Sequence, residues 1–117
     1  MVAVIGILAS IGIPAYGDYV TRGKLVEGTS ALSDGRVKME QYFQDNRTYV
    51  GGTAPANTTN FTYAASNLST ATYTITATGT GNLSAFIYTI DQANAKTSNT
   101  PWGNGATCWI MKKGDAC

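Results

Sequence analysis

The chain has 117 residues, with 8 Lys plus Arg against 7 Asp plus Glu, and only 13% of its residues are charged. This length allows one domain with a modest core, and the near-neutral balance argues against a dedicated nucleic-acid binder held by phosphate electrostatics. Because the chain contains no histidine, it can form neither a Ser-His-Asp or Cys-His nucleophile nor a His-bearing metal site. The composition therefore predicts a protein that is not an enzyme and carries no cofactor or metal.

The N-terminal end of the chain is strongly apolar. No charge occurs before Asp18, and residues 1–17 read MVAVIGILASIGIPAYG. Three interpretations compete for this run. A signal peptide would have a basic segment before its apolar core, and none is present here. The other two are a buried core helix and a membrane helix. As a helix, the run spans about 25 Å of a roughly 30 Å hydrocarbon layer, so we expect it to begin inside a longer natural segment. We divide the chain into a hydrophobic membrane or filament-core segment, 1–17, and a globular head, 18–117.

A second pattern follows the apolar run. Small or apolar residues recur at alternating spacings of three and four, which predicts one face of an amphipathic helix. These residues are Leu25, Gly28, Leu32, Gly35, Met39 and Tyr42. The stretch DNRTYVGG contains the helix-breaking Asn46 and two glycines, so the sequence predicts one helix from near Met1 to about Asn46.

The predicted helix is too long for the head. A helix of about 46 residues is near 70 Å long, whereas a compact globule of this chain length is roughly 35 Å across. Its apolar N-terminal half must therefore protrude, and it needs lipid or further copies of the chain to cover it. The residues expected in this filament core are Val4, Ile5, Ile7, Leu8, Ile11 and Ile13.

Three residues in the apolar run disfavour a regular helix. Gly6 and Gly12 each cost about 1 kcal/mol in a helix interior, and Pro14 removes a backbone donor. Neighbouring groups can absorb such defects in lipid, whereas in a packed bundle this stretch could extend and break the helix. A simple kink at Pro14 explains the same residues equally well.

The head begins with an uncharged stretch and continues with alternating patterns. Residues 48–72 predict a long surface connection with one short element around residues 61–65. The runs TYTITAT (72–78) and SAFIYTIDQA (84–93) flank a Gly-Asn turn, which predicts an antiparallel hairpin. The residues expected on its apolar face are Tyr73, Ile75, Ala77, Phe86, Tyr88 and Ile90. A third strand is expected at residues 107–112 and a weaker fourth at 95–98. The fold class is therefore α+β, with a long protruding N-terminal helix packed on an antiparallel sheet of three to four strands.

The only two cysteines, Cys108 and Cys117, enclose a short C-terminal loop. A disulfide there would stabilise the head by about 2.5 to 3 kcal/mol on the loop-entropy model and would restrain the tail. The alternatives are two free thiols or a metal clip, which lacks further ligands. We favour the disulfide, and with it an oxidising, extracytoplasmic location.

The motif GILASIGIPAY, from Gly6 to Tyr16, and the following YGDYVTRGKLVEG resemble the N-terminal region of type IV pilins. The resemblance extends through YTITATGTG, AFIYTIDQANAKT and CWIMKKGDAC, so it covers most of the chain. It implies a subunit held in the inner membrane by residues 1–17, which the pilus assembly machinery would extrude into a homo-oligomeric surface filament. Adhesion, twitching motility and DNA uptake are the tasks implied for such a filament.

The chain departs from the pilin pattern at its N-terminus. Family members begin with a methylated phenylalanine followed shortly by a glutamate, and Met1 stands after those positions. No residue here is therefore expected to be the cleavage site or the assembly glutamate. The resemblance also implies that the segment from Gly6 to Pro14 is often melted in filaments.

Two alternative functions stay open. A type II secretion pseudopilin is one, although the cysteine-bounded loop is more similar to pilins. The other is a minor pilin that acts as a DNA receptor, in which a small basic and aromatic patch would contact DNA. The candidate residues are Lys96, Lys112 and Lys113, near Trp102 and Trp109 in sequence. Solvated lysines beside tryptophans of the core explain these residues too.

Overall fold

The structure is a computed structural model that describes the backbone of residues 2–117 and the side chains of residues 19–117. Helix α1 spans Val2–Asn46, as predicted, and the longest dimension of the molecule is 67 Å. Arg47 ends the helix: it has a positive φ of 57°, and its N–H donates to the Phe43 carbonyl at 2.6 Å. This is the left-handed geometry common at helix C-termini.

The predicted filament core lies outside the described side chains. Residues Val4, Ile5, Ile7, Leu8, Ile11 and Ile13 all precede position 19, so their role stays a prediction. The backbone of α1 is helical across Gly6, Gly12 and Pro14, and the break expected there in a filament likewise stays a prediction. Among the described residues, no helix has the length and apolarity needed to cross a bilayer.

A five-stranded antiparallel sheet packs against α1. Its strands are β1 Phe61–Ser66, β2 Thr74–Gly79, β3 Ile87–Asp91, β4 Lys96–Thr100 and β5 Gly103–Gly105. They lie in the order β1-β2-β3-β4-β5, so strands adjacent in sequence are adjacent in space. A single 3-10 turn, Gly81–Leu83, joins β2 to β3.

The β2–β3 hairpin confirms the alternation seen in the sequence. Ile75 is paired with Ile90 and Ala77 with Tyr88, so the apolar residues of both strands share the face toward α1, here called the inner face. All six residues expected on that face are buried. The period-2 pattern is sufficient to set this register because a slip of one residue would expose every one of them.

The predicted helix stripe forms the other half of the core. Leu25 and Leu32 are fully buried and Met39 is 1% exposed. Gly28 and Gly35 let the helix approach the sheet closely: a Cβ at Gly35 would lie 3.0 Å from the Ile75 Cδ1 atom. Tyr42, at the end of the stripe, is half-buried, and its hydroxyl donates to the Val50 carbonyl at 2.8 Å.

The prediction of a strand at residues 107–112 is wrong. This stretch crosses the inner face without joining the sheet, because side chains rather than strand neighbours satisfy its backbone. The Ile110 N–H donates to the Ser98 hydroxyl at 3.0 Å, and the Tyr88 hydroxyl donates to the Ile110 carbonyl at 2.7 Å. The weaker candidate at 95–98 corresponds to β4. The short element around residues 61–65 joins the sheet as β1, and β5 was not predicted, so the sheet has five strands rather than three to four.

The predicted disulfide is present. The sulfurs of Cys108 and Cys117 are bonded, and their Cα atoms lie 5.6 Å apart. The bond closes the C-terminal segment, a name used below for residues 106–117.

Candidate nucleic-acid interface

The C-terminal segment is fixed at several points along its length. Ile110 is 1% exposed and is held by the hydrogen bonds to Ser98 and Tyr88. Farther along, the Met111 N–H donates to the Asp115 carboxylate at 3.0 Å, and the disulfide retains the last residue. The segment therefore presents its exposed side chains from a fixed backbone.

Burial also fixes the hydroxyl beneath this segment. Desolvation, reinforced by the negative charge of Asp115, raises the pKa of Tyr88 far above its usual value. The hydroxyl consequently remains protonated and keeps donating to the Ile110 carbonyl.

Lys96 and Trp109 are in direct contact. The Lys96 Nζ atom lies 4.7 Å from the centre of the Trp109 ring, within the range of a cation–π interaction. The Trp109 indole N–H donates to the Thr89 carbonyl at 2.9 Å, which holds the ring in one orientation. The structure thus brings together two of the residues named from sequence, an ammonium and a fixed aromatic ring, at the junction of β4 and the C-terminal segment.

Lys112 lies on the other side of the C-terminal segment, toward the helix. It lines a groove between this segment and α1 whose volume is about 420 Å³. The other residues of the groove are Tyr19, Arg22, Gly23, Val26 and Met111. The guanidinium carbon of Arg22 is 5.8 Å from the centre of the Tyr19 ring, so the groove has cations at its rim and apolar groups along its walls.

The remaining two candidates are separate from these contacts. Lys113 is exposed, one residue beyond the groove. Trp102 is half-buried and packs edge-on against Phe86, with ring centres 5.1 Å apart. Trp102 is therefore a tryptophan at the margin of the core, as the simpler interpretation expected, and the three lysines do not form one patch.

Sequence reasoning missed Arg22 and the groove. The signal was present, since Tyr19, Gly23 and Val26 have helical spacings of four and three and define a second line on α1. Among the described side chains, no cluster of three acidic, cysteine or histidine residues is placed to hold a metal ion.

Comparison with known proteins places this architecture among pilins. The sequence profile of a family described as "Type IV minor pilin ComP, DNA uptake sequence receptor" matches residues 14–100. That range contains Lys96 and Arg22 but ends before the C-terminal segment. Most of the head and part of α1 are therefore covered by the match.

Part of the chain is also similar to type IV fimbrial proteins. The "Type IV major fimbrial protein FimA" of Dichelobacter nodosus is 50% identical over 46 residues, which are 38% of this chain and 28% of that relative. FimA of strain VCS1703A is 46% identical over 48 residues, 40% of this chain and 29% of the relative. The chain thus aligns with less than a third of the length of these relatives.

The non-core minor pilin PilV of Neisseria meningitidis has a similar fold. The superposition has a TM-score of 0.63 and covers 80% of this chain and 99% of that one, at 15% sequence identity. The similarity confirms the predicted fold class, a long helix packed on an antiparallel sheet.

Proposed function

This chain belongs to the ComP family of type IV minor pilins, and from that membership we propose that it is a pilus subunit whose head binds DNA during uptake. The N-terminal segment, 1–17, would hold the subunit in the inner membrane and then enter the core of a surface filament. The head, carried on the C-terminal half of α1, would be displayed along that filament. DNA would be recognised by the head.

The filament part of the proposal is supported by the amphipathic division of α1. Its C-terminal half is covered by the sheet, through Leu25, Leu32 and Met39, whereas residues 1–17 contain no charge. In lipid, the hydrophobic effect does not drive helices together, because the lipid tails are as apolar as the side chains. Packing and hydrogen bonding between the helices drive their association instead. The same packing arrangement, repeated between many copies of the chain, would then give the filament its regular structure.

The contact between Lys96 and Trp109 carries the DNA part of the proposal. A lysine ammonium can neutralise a phosphate, and an oriented indole can stack on a base or pack against a sugar. We leave out Lys112, which lines the groove beside Arg22, and Lys113, which follows it in sequence. Since the whole chain carries a net charge of only +1, attraction to DNA would be local and would need this arrangement.

A binding experiment on the full chain in detergent micelles tests the DNA proposal. We expect the affinity for duplex DNA to fall steeply with salt. Lys96→Glu should weaken binding and reduce the slope of log affinity against log salt by about 1. Lys24→Glu is the matched control, because Lys24 is an exposed lysine on α1. Equal losses in both variants, or no binding by the unaltered chain, would overturn DNA recognition by this surface.

Trp109→Leu separates stacking from charge. This variant keeps an apolar side chain, of smaller volume, and all the lysines but loses the ring beneath Lys96, so we expect weaker binding with an unchanged salt slope. The filament part is tested separately, by electron microscopy of surface fibres and mass spectrometry of their subunits. Fibres that lack this chain, from cells that export it, would contradict that part.

A further inference from the structure

The groove between α1 and the C-terminal segment begins close to the end of the apolar N-terminal segment. Tyr19 comes two residues after residues 1–17, and Arg22 comes five residues after them. At a helix rise of about 1.5 Å per residue, Tyr19 and Arg22 lie about 3 Å and about 7.5 Å beyond that end. The headgroup layer of one leaflet is about 5 to 8 Å thick. With residues 1–17 in the hydrocarbon layer, as proposed above, this part of the groove therefore lies among the lipid headgroups.

Two cationic side chains line the groove, one from each wall. The exposed Arg22 belongs to α1, and the exposed Lys112 belongs to the C-terminal segment. Among the described residues, none of those that line the groove is acidic. The side chain of Asp18, one helical turn before Arg22, lies outside the described part of the chain. A guanidinium on one wall and an ammonium on the other form a suitable site for one phosphate group.

The acidic side chains described near the groove have hydrogen bonds of their own. Glu27 lies about 140° from Arg22 around the helix, and its carboxylate accepts from the Thr58 hydroxyl at 3.4 Å. The Asp115 carboxylate accepts from the Met111 N–H at 3.0 Å. The groove therefore presents cations to an anionic ligand, although the whole chain carries a net charge of only +1.

We propose that the groove binds the headgroup of an anionic phospholipid, whose phosphate lies between Arg22 and Lys112, while the subunit is held in the inner membrane. This inference rests on the proposed insertion of residues 1–17 into a bilayer and adds a specific lipid to it. Basic pockets beside transmembrane helices bind acidic headgroups in this way. Tyr19 suits the same location, because tyrosine is enriched at the interface between membrane and water.

The two cations favour an anionic headgroup over a zwitterionic one. A choline headgroup carries a cation of its own, which Arg22 and Lys112 would repel. The Tyr19 ring could hold a choline by a cation–π interaction, but the Arg22 guanidinium carbon lies 5.8 Å from the ring centre and competes for that position. A headgroup without a cation is therefore preferred.

The apolar walls favour a lipid over inorganic phosphate or DNA. Val26 and Met111 line the groove together with the cations and can bury the glycerol carbons of a phospholipid, which inorganic phosphate lacks. A membrane surface that contains anionic lipid also repels the phosphates of DNA. Inorganic phosphate and DNA are therefore distinguishable outcomes of the test.

Reconstitution of the full chain in phosphatidylcholine vesicles tests the proposal. The vesicles contain a trace of spin-labelled phosphatidylglycerol or, in parallel, of spin-labelled phosphatidylcholine, and electron paramagnetic resonance measures how strongly each probe associates with the protein. We expect the unaltered chain to prefer phosphatidylglycerol, and Arg22→Gln and Lys112→Gln each to lower this preference about fivefold. Lys24→Gln is the matched control, because Lys24 is an exposed cation about 160° from Arg22 around the same helix, and it should lower the preference by less than about twofold.

A charge placed in the apolar wall gives a second readout. Val26→Asp leaves both cations in place but adds a carboxylate beside them, so we expect it to remove the preference for phosphatidylglycerol. Val37→Asp is its control, since Val37 and Val26 are each 53% exposed on α1 and Val37 does not line the groove. Loss of the preference in Val37→Asp as well would overturn the site.

Three further results would overturn the lipid site. These are equal losses in Arg22→Gln and Lys24→Gln, loss of the preference in excess inorganic phosphate at constant ionic strength, and displacement of the lipid probe by duplex DNA. An unaltered chain that enters the vesicles without preferring phosphatidylglycerol would refute the lipid site and leave the proposed function intact. A chain that does not enter the vesicles would instead refute the proposed membrane anchor.

Discussion

The ring of Phe61 lies against the backbone of Gly28. A Cβ atom at position 28 would be 2.8 Å from the Phe61 Cζ atom, which is closer than side-chain carbons pack. Phe61 is itself fully buried, so its ring cannot turn into solvent to relieve the contact. This contact fixes the distance between α1 and strand β1.

Gly28→Ala is therefore expected to destabilise the head. The overpacking costs about 1 to 3 kcal/mol, and the better helix propensity of alanine returns only about 1 kcal/mol. Urea unfolding of the full chain in micelles, followed by tryptophan fluorescence, measures the difference.

Gly23→Ala is the matched control for this substitution. No atom lies within 4 Å of a Cβ at Gly23, so the helix-propensity gain of up to about 1 kcal/mol is expected without a clash. A destabilised Gly23→Ala would indicate that helix propensity does not govern this part of α1. Equal stability of the two variants would contradict the close packing at Gly28.

Tyr73→Phe is expected to stabilise the head at neutral pH. Tyr73 is fully buried, and its hydroxyl has no hydrogen-bond partner among the described residues. Removing an unsatisfied buried hydroxyl relieves a desolvation cost of about 1 to 3 kcal/mol, part of which the cavity left behind offsets. The urea midpoint should rise.

Tyr88→Phe provides the opposite case. Its hydroxyl donates to the Ile110 carbonyl at 2.7 Å, so the substitution leaves a buried acceptor unpaired and costs about 1 to 3 kcal/mol. The two substitutions remove the same atom from two buried tyrosines of the inner face. Changes of the same sign would show that hydrogen bonding does not distinguish them.

The stability of the head is expected to decline at alkaline pH. Burial raises the pKa of Tyr73 from 10.0 to about 12, with a smaller contribution from the negative charge of Glu40. The unfolded chain therefore releases this proton first, so the stability is complete below about pH 10 and falls as the pH rises toward 12. Tyr73→Phe should make the decline between about pH 10 and pH 12 shallower, as urea midpoints across this range would show. An identical decline in the variant would contradict the assignment to Tyr73.

Removal of the disulfide is expected to loosen the C-terminal segment. Replacing Cys108 and Cys117 by Ser should lower the free energy of unfolding by about 2 to 3 kcal/mol on the loop-entropy model, and filament yield should fall through instability of the head. The measurements are thermal unfolding in micelles and the amount of sheared fibre. Reducing agent should produce the same loss in the unaltered chain and none in the variant, and normal piliation of the variant would argue against this role.

The elements that obey local periodicity could be predicted from the sequence. The spacing of Leu25, Leu32 and Met39 defined the buried face of α1, and the alternation around Ile75 and Ile90 defined the hairpin. The apolar residues repeat every three to four positions in the helix and every second position in the strands, because those positions are buried. Both repeats can therefore be recognised in the sequence alone. The disulfide was predictable for a different reason, since Cys108 and Cys117 are the only two cysteines.

The candidate interface was only partly predictable. Lys96 and Trp109 were named from sequence, but their contact across 13 positions requires the path of the C-terminal segment over the inner face. That path depends on Ser98, whose hydroxyl donates to the Cys108 carbonyl at 2.9 Å and accepts from the Ile110 N–H. Nothing in the stretch TCWIMK distinguishes this arrangement from a strand, because the partner residues are remote in sequence.

The sequence by itself determined the helix and its buried stripe, the central hairpin and the fold class, and it predicts the division into an apolar N-terminal segment and a polar head. Each of these follows from the spacing of apolar residues, or from the composition, of one continuous stretch of chain. Water sets both, because the buried face of a helix or strand must be apolar and the solvated face polar. Only the tertiary structure decided that β5, with the sequence Gly-Asn-Gly, joins the sheet, that residues 107–112 do not, and that Arg22 and Lys112 share a groove. These features depend on hydrogen bonds and surfaces between distant residues, whose free energies exist only once the chain has folded.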